Sequence, residues 1–250
     1  MAVIWQQRRG GNRYEVRTHG ASVRLYSNGV FHSQWNPRDP LKGSLWELLL
    51  LPVFFRRPQQ IKRVLLLGVG GGALIRLLQT YAFPHTIVGV DIDPVHLKVA
   101  KRFFGVAGTE LICADARQYI SECQGTSAER FDLVVDDLFD HTDGVAQRAI
   151  PADPDWCGQL LELLTPDGVL VGNFGSRREL LDSGWRRPQL RAQLAQEKGA
   201  WTLEHPVYEN CIGVFSRRPL IRAELLQQAP PAINPGNPSR KLDSRLRALR

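Results

Sequence analysis

Residues 64–78 read VLLLGVGGGALIRLL, a short apolar run followed by a cluster of glycines and then by a second apolar segment. The run predicts a buried strand over residues 64–67, and the second segment predicts a helix over residues 73–80. Glycine permits a tight turn and close approach of a ligand, and the first N–H groups of the helix are open to a polar group. This order of strand, loop and helix predicts a nucleotide site at Gly68, Gly70 and Gly72. The alternative is a loop whose glycines serve only the turn.

An acidic residue ends the next predicted strand. Residues 88–93 read VGVDID, and Asp91 follows a predicted strand over residues 86–90. A carboxylate about 20 residues after such glycines accepts hydrogen bonds from ribose hydroxyls, so a ribose-containing ligand is indicated. Asp93 precedes Pro94 and is expected to cap the helix that begins there.

Asp115, with Ala116 beside it, follows a third predicted strand over residues 110–113. Asp115 and Ala116 are candidates for the cofactor site, and the carboxylate of Asp115 is placed to receive an adenine amino group. The alternative role of Asp115 is to cap the helix that begins at Ala116. Both roles are compatible with the sequence.

A further acidic group follows a fourth predicted strand, within the segment FDLVVDDLFD at residues 131–140. The carboxyl ends of parallel strands line one crevice, where ligands bind. Asp137 and Asp140 are therefore candidates for holding an amine-bearing substrate or for acting as its general base. A capped turn after the strand is the alternative.

Strand and helix patterns alternate from residue 64 to residue 215, which predicts an α/β fold with a mostly parallel sheet. Two further strands, over residues 201–207 and 211–215, are separated by three residues and predict an antiparallel hairpin at the end of the sheet. Such a reversed terminal strand is typical of methyltransferase-type, Rossmann-like sheets. The other predicted elements are strands at 133–135 and 169–173 and helices at 94–104, 116–123 and 156–164.

The segments on either side predict two smaller units. Alternating polar and apolar residues with turns at glycine indicate an N-terminal β-hairpin unit within residues 1–43, and Ser44 is the expected N-cap of a helix over residues 44–55. The main domain is predicted to extend to residue 222. Residues 223–250 are expected to form a proline-rich linker and a basic tail, with a short helix over the last eleven residues.

Composition limits the function classes. The formal charge of +7 resides in arginine pairs and in the basic tail, and no nucleic-acid-binding module accompanies it. The four cysteines form no CxxC pair, so neither a metal site nor a disulfide framework is indicated. The N-terminus lacks an apolar signal core and no apolar run is long enough to cross a bilayer, so we expect a cytoplasmic protein without a membrane contact.

Taken together, the motifs resemble the spermidine synthase family, from the N-terminal β unit to about residue 215. The resemblance implies an N-terminal β-hairpin domain, a methyltransferase-like sheet and an S-adenosyl donor. By position, it implies Asp91 for the ribose, Asp115 for adenine, Asp137 as the catalytic aspartate and Asp140 as the second acid. The segments that carry it are SNGVFHSQW, LGVGGG, VDIDP, ADARQYI, FDLVVDDLFD and LTPDGVLVGN.

The sequence departs from that family at three places. Aminopropyltransferases carry an acid in their G-G-G-D-G-G loop that helps to hold the donor amine, and Gly71 stands there in this chain. A carboxylate would attract the ammonium of a decarboxylated donor and repel the carboxylate of the intact donor, so its loss favours S-adenosylmethionine. Leu45 replaces a substrate-site tyrosine and His141 replaces a proline. The G-x-G-G-G form also resembles methyltransferase domains of enzymes that methylate elongation factors.

Four functions remain open. Methyl transfer from S-adenosylmethionine to an amine is favoured, and the acceptor is a small molecule or a protein. Aminopropyl transfer from decarboxylated S-adenosylmethionine is the second, an NAD-dependent dehydrogenase the third, and a nucleoside-binding scaffold the fourth. Candidates for further residues that line the site are His32, His141 and Tyr208. The N-terminal unit, with Trp35 and Trp46, predicts a homodimer.

Overall fold

Five parallel strands form the centre of a mixed eight-stranded sheet, in a computed structural model that describes residues 1–124, 130–142 and 145–249. The strands are β1 Ala2–Arg9, β2 Asn12–His19, β3 Ser22–Ser27, β4 Val30–Trp35, β5 Arg63–Leu67, β6 Thr86–Asp91, β7 Glu110–Cys113, β8 Phe131–Asp136, β9 Phe139–Thr142, β10 Val145–Arg148, β11 Leu164–Phe174, β12 Ala200–Glu204, β13 Cys211–Phe215 and β14 Arg245–Ala248. Their order in the sheet is β14-β12-β13-β11-β8-β5-β6-β7.

Helices cover both faces of this sheet. They are α1 Leu45–Leu50, α2 Ala73–Tyr81, α3 Pro94–Phe103, α4 Ala116–Gln124, α5 Pro154–Glu162, α6 Arg177–Asp182, α7 Pro188–Arg191 and α8 Arg222–Gln228. Within the described ranges, no helix is long and apolar enough to span a bilayer.

The apolar run of β5 explains why the sheet is buried on both sides. Successive side chains of a strand point to opposite faces. Accordingly, Val64 and Leu66 pack into one core cluster with residues of α2 and α3, whereas Leu65 and Leu67 pack into another with residues of α4 and α5. The α/β fold predicted from the sequence is confirmed, and so are its parallel centre and its antiparallel hairpin of β12 and β13.

The strand order changes direction between β5 and β8. From β5 the chain continues outward to β6 and β7, and it then returns to place β8 on the other side of β5. Ligands of open α/β sheets bind at the carboxyl ends of the strands at such a switch point. Here the N–H of Asp137, just after β8, donates to the backbone oxygen of Leu67 at 2.9 Å.

A separate four-stranded antiparallel sheet, β1 to β4, packs beside the first half of the main sheet. Tyr14, Val16 and Leu25 are buried in the same core cluster as α2 and α3. The predicted N-terminal β unit is thus confirmed, with β1 as an additional strand. The helix predicted over residues 44–55 is α-helical only to Leu50 and continues as a 3-10 helix over Leu51–Phe55, where Pro52 lacks a backbone donor.

The expectation of a basic helix at the C-terminus is wrong. Residues Arg245–Ala248 form β14, which pairs with β12 in antiparallel register. The predicted linker begins with a helix, α8, and residues 229–239 after it have no regular structure, as expected. Ile233 in that stretch and Leu242 after it have no exposed surface and pack against the core. The physical reason is that β12 would otherwise be an edge strand, and its free N–H and C=O groups bind a chain that alternates polar and apolar residues.

Two leucines test this packing. We expect Leu242→Ala to lower the free energy of unfolding by about 2–5 kcal/mol because a buried side chain is removed. The control Leu181→Ala, at a position 38% exposed in α6, should change it by less than about 0.5 kcal/mol. Urea unfolding measures both variants, and equal effects would contradict the packed C-terminal segment.

Candidate active site

Glycines shape the loop between β5 and α2. Gly68, Gly70 and Gly72 adopt φ angles of 88°, 53° and 82°, a region that favours glycine. A Cβ atom on Gly68 would lie 2.2 Å from the backbone oxygen of Asp137, and one on Gly72 would lie 2.6 Å from Val106. The loop therefore passes close to the end of β8 only because Gly68 carries no side chain, and Gly72 allows a similar approach to Val106.

The carboxylate of Asp91, at the end of β6, holds this loop. The N–H groups of Val69 and Gly70 donate to its Oδ2 atom at 3.0 and 2.9 Å, and the N–H of Asp93 donates to Oδ1 at 2.8 Å. The side chain is buried, with 7% of the residue exposed. The structure thus places Asp91, the residue predicted to bind the ribose, in direct contact with the predicted glycine loop. Its contact with a ribose stays a prediction.

His96 on α3 connects Asp91 to the N-terminal sheet, a connection that the sequence analysis missed. Its Nδ1 lies 3.4 Å from Asp91 Oδ2, and its Nε2 lies 3.2 Å from the hydroxyl of Ser27. Burial alone would lower the pKa of His96, but the hydrogen bond to Asp91 and the charge of that carboxylate raise it. His32, a predicted lining residue, places its ring 5.2 Å from the His96 ring.

Asp93 provides a second connection. Its Oδ1 accepts the N–H of Val95 and caps α3, as predicted, while the hydroxyl of Tyr14 donates to Oδ2 at 2.6 Å. Burial and the carboxylate raise the pKa of Tyr14. The N-terminal sheet therefore contacts the polar groups beside the loop as well as the apolar core.

Asp115 lies at the start of α4 and is exposed. Its Oδ1 accepts the N–H of Arg117 at 2.7 Å, so the capping role is present in the structure. Ala116 beside it is buried. The second carboxylate oxygen forms no hydrogen bond with the described residues, and the adenine role of Asp115 stays a prediction.

Asp137 follows β8 and lies across the switch point from the loop. The side-chain amide of Asn173 donates to its Oδ1 at 2.8 Å, and Asn210 donates in turn to Asn173 Oδ1 at 3.0 Å. Burial, reinforced by the neighbouring charge of Asp136, raises the pKa of Asp137 to about 7, against the opposing hydrogen bond from Asn173. A carboxyl group that titrates near neutral pH suits a general base.

The neighbouring Asp136 has a structural environment. Arg148 and the indole N–H of Trp156 donate to its Oδ2 at 2.6 and 3.0 Å. The Arg148 side chain is 2% exposed and also donates to the backbone oxygen of Asn173. This buried ion pair joins β10 to β8 and β11 directly behind Asp137.

The other predicted residues are less closely joined to Asp137. Asp140 is exposed on β9, opposite Gln147 of β10. The side chain of His141 lies outside the described residues. Tyr208 lines a different cavity, beside His205, and burial raises the pKa of its hydroxyl. The two acids predicted as catalytic therefore differ in environment: Asp137 is partly buried and bonded to Asn173, whereas Asp140 is at the surface.

Gly71 occupies a confined position. Its N–H donates to the hydroxyl of Ser33 at 3.0 Å. A Cβ atom there would lie 2.6 Å from the ring of Phe104 and 2.7 Å from the Cβ of Ser33. Both distances are shorter than real contacts, so the surrounding side chains leave no space for an acid at this position.

The mixed sheet and its glycine loop have a Rossmann-like fold of the class I methyltransferase type. Residues 64–168 match the family described as methyltransferase domain. The chain is 30% identical over 125 residues to the polyamine aminopropyltransferase of Vibrio vulnificus. The aligned region covers 48% of this chain and 40% of that protein. It is 27% identical over 121 residues to the eEF1A lysine and N-terminal methyltransferase of Mus musculus. That aligned region covers 46% of this chain and 17% of the mouse protein. The chain thus spans less than half the length of these relatives.

Solved structures agree on the fold. A probable spermidine synthase from Corynebacterium glutamicum superimposes with a TM-score of 0.71 at 14% identity, covering 99% of this chain and 91% of that one. Human methyltransferase-like protein 13, solved with SAH, gives a TM-score of 0.60 at 22% identity, covering 73% and 87%. The resemblance to spermidine synthases and their methyltransferase relatives is confirmed.

The confined space at Gly71 can be measured. We expect Gly71→Ala to lower the free energy of unfolding by about 1–3 kcal/mol because the methyl group overpacks Phe104 and Ser33. Gly158→Ala is the control, since its Cβ would lie 3.9 Å from the nearest atom outside its own helix. It should be neutral or stabilising by up to about 1 kcal/mol. A harmless Gly71→Ala in urea unfolding would refute the crowding.

The raised pKa of Asp137 predicts that this residue destabilises the folded protein increasingly as the pH rises. The folded protein binds this proton more tightly than the unfolded chain, so the contribution of Asp137 to stability falls between about pH 4 and pH 7. Asp137→Asn removes this dependence. Urea unfolding at several pH values should therefore show the variant gaining on the wild type by up to a few kcal/mol as the pH rises. A difference that is constant with pH would contradict the raised pKa.

Proposed function

We propose that the chain is an S-adenosylmethionine-dependent methyltransferase that acts on an amine-bearing acceptor. The observation that carries the proposal is the buried Asp91 carboxylate bonded to the N–H groups of the glycine loop. This arrangement supports a nucleoside site in which Asp91 meets the ribose and the loop approaches the rest of the donor. Asp115 would meet the adenine.

Asp137 is the proposed general base. An amine acceptor is an ammonium ion at neutral pH and must lose a proton before its nitrogen lone pair can react. A carboxyl group with a pKa near 7 is deprotonated in part at that pH and can accept this proton at a carboxylate oxygen. The donor sulfonium, when bound, supplies a methyl group that is already activated, so the protein contributes mainly position and charge.

Asn173 supports this role of Asp137. Its amide fixes one carboxylate oxygen, and Arg148 holds the backbone oxygen of the same asparagine. Because Asn173 and Arg148 are themselves almost fully buried, the carboxylate has little freedom to rotate. An acid held in one orientation can receive a proton from one direction.

Gly71 favours the intact donor. S-adenosylmethionine carries a carboxylate that its decarboxylated form lacks, and an acid in the loop would repel it. Phe104 and Ser33 fill the space in which such an acid would stand. The loop therefore lacks the group that would select a decarboxylated donor.

Aminopropyl transfer is the second candidate. The relative from Vibrio vulnificus is named for that activity, and the resemblance of residues 131–140 to the family's acidic segment implies the same two acids. In that reaction, Asp137 and Asp140 would bind a cationic acceptor. The two candidates differ in the donor that the site selects.

Calorimetric titration with S-adenosylmethionine and with its decarboxylated form separates them. We expect the intact donor to bind at least about tenfold more tightly, a difference of about 1.4 kcal/mol. NAD serves as a control for general affinity of the loop for nucleotides. Preference for the decarboxylated donor would favour the aminopropyltransferase, and binding of none of the three would contradict both candidates.

Asp91 provides the mutational test of the ribose contact. We expect Asp91→Asn to weaken the binding of S-adenosylhomocysteine by about 1.5–3 kcal/mol, because the charged acceptor is lost. The control Asp182→Asn removes an acid whose side chain is 72% exposed in α6 and should leave affinity unchanged. A melting curve verifies that each variant is folded. Equal affinities for the Asp91 variant and the wild type would exclude the ribose role.

A further inference from the structure

A cavity of about 200 Å³ opens at the same edge of the sheet as Asp137, on the other side of Asn173 and Asn210. It lies where β12 ends and β14 begins, next to the loop that leads to β13 and to the first residue of α6. This is the half of the sheet opposite the glycine loop and β7. The residues that define its chemistry are Arg177, Glu204, His205, Tyr208, Asn210 and Arg245.

Two amide side chains join this cavity to the proposed base. Asn210 lines the cavity and donates to Asn173 at 3.0 Å, and Asn173 donates to Asp137 at 2.8 Å. Asn173 is buried, so the connection runs through the protein and not across its surface. Asn210 is therefore the lining residue from which the reactive end of an acceptor would extend towards Asp137.

The charged groups of the cavity disfavour an acceptor that carries a second ammonium group. Arg177 and Arg247 both pair with Glu204, at 2.8 and 3.8 Å, so that one carboxylate faces two guanidinium groups. The side chain of Arg245 has no hydrogen bond or ion pair with any residue that the structure describes. Burial lowers the pKa of His205, which disfavours a charge on its ring. The unbalanced charge of the cavity wall beside Asn210 is therefore positive.

Besides Glu204, the cavity lining contains one other acid, Glu209, which lies at the rim. It is exposed, and it has no partner among the described residues. Arg245 is exposed as well, so solvent screens both charges and the two offset each other. The excess that remains is that of Arg177 and Arg247 over Glu204, and it is positive.

We propose that this cavity binds the carboxylate end of the acceptor, with Arg245 and Arg177 as its ligands. The inference rests on the proposed methyl transfer and narrows its acceptor to an amine that also carries a carboxylate, such as an amino acid or a peptide. Guanidinium groups bind carboxylates through paired hydrogen bonds. A polyamine would instead place a second ammonium against them and be repelled.

A matched set of amines tests the end-group preference. The probes are 4-aminobutanoate, 1-aminobutane and putrescine, with the corresponding six-carbon set, because each set varies only the group at the far end. Each probe is titrated into protein saturated with S-adenosylhomocysteine. At one length or the other, we expect the amino acid to bind about tenfold more tightly than the plain amine, as charge-assisted hydrogen bonds provide, and the diamine more weakly than either.

Substitution of the arginines locates the effect. Arg245→Gln should reduce the affinity for the amino acid about tenfold without changing that for the plain amine. Arg178→Gln is the control, because this neighbour of Arg177 is 91% exposed and does not line the cavity. It should change neither affinity. Binding of S-adenosylhomocysteine should be the same in all variants.

Three results would overturn the inference. They are equal affinity for the amino acid and the plain amine at both lengths, tighter binding of a diamine, and no amine binding by protein that binds S-adenosylhomocysteine. The donor site would stand in all three. Failure of S-adenosylhomocysteine itself to bind would instead overturn the proposed methyl transfer, and the acceptor site with it.

Discussion

The structure of the site depends on one buried carboxylate. Asp91 carries a negative charge in a place with little contact to water, and such a charge is costly unless hydrogen-bond donors surround it. The donors come from three parts of the chain: the loop after β5, the N-terminus of α3 and His96. The loop turns through positive φ angles at Gly68, Gly70 and Gly72, and in this conformation the N–H groups of Val69 and Gly70 face the carboxylate. Asp91 therefore fixes the relative positions of β6, the glycine loop, α3 and the N-terminal sheet.

The main sheet divides the chemistry between its two halves. Strands β5 to β7 carry the residues proposed for the donor, whereas β8, β11 and the terminal hairpin carry Asp137, Asn173 and Asn210. The switch point between β5 and β8 brings the halves together, since the loop at Gly68 passes over the backbone of Asp137. Burial of the carboxyl group of Asp137, together with the charge of Asp136, raises its pKa. A donor and a base would thus meet at one place without a long connecting segment.

Local patterns predicted the elements of the main sheet, because an apolar run followed by glycine, or a strand ended by aspartate, needs few neighbours to identify it. Contacts between residues that are far apart in the sequence could not be predicted. His96 meets Ser27 from 69 residues away, and Asn173 meets Asp137 from 36 residues away. The C-terminal segment has the charge of a solvated tail, and only the open edge of β12 makes it a strand. Asp140 was grouped with Asp137 from its spacing, and β9 places it at the surface. Asn173, at the polar end of an apolar strand, is the residue that a closer reading of the sequence could have found.

The most direct test of the central claim is a crystal structure of the protein with S-adenosylhomocysteine. The account predicts ribose hydroxyl groups within hydrogen-bond distance of the Asp91 carboxylate. The N–H groups of Val69 and Gly70 should still donate to it, and the sulfur should face Asp137. A nucleoside bound away from the glycine loop, or a loop released from Asp91, would contradict the account.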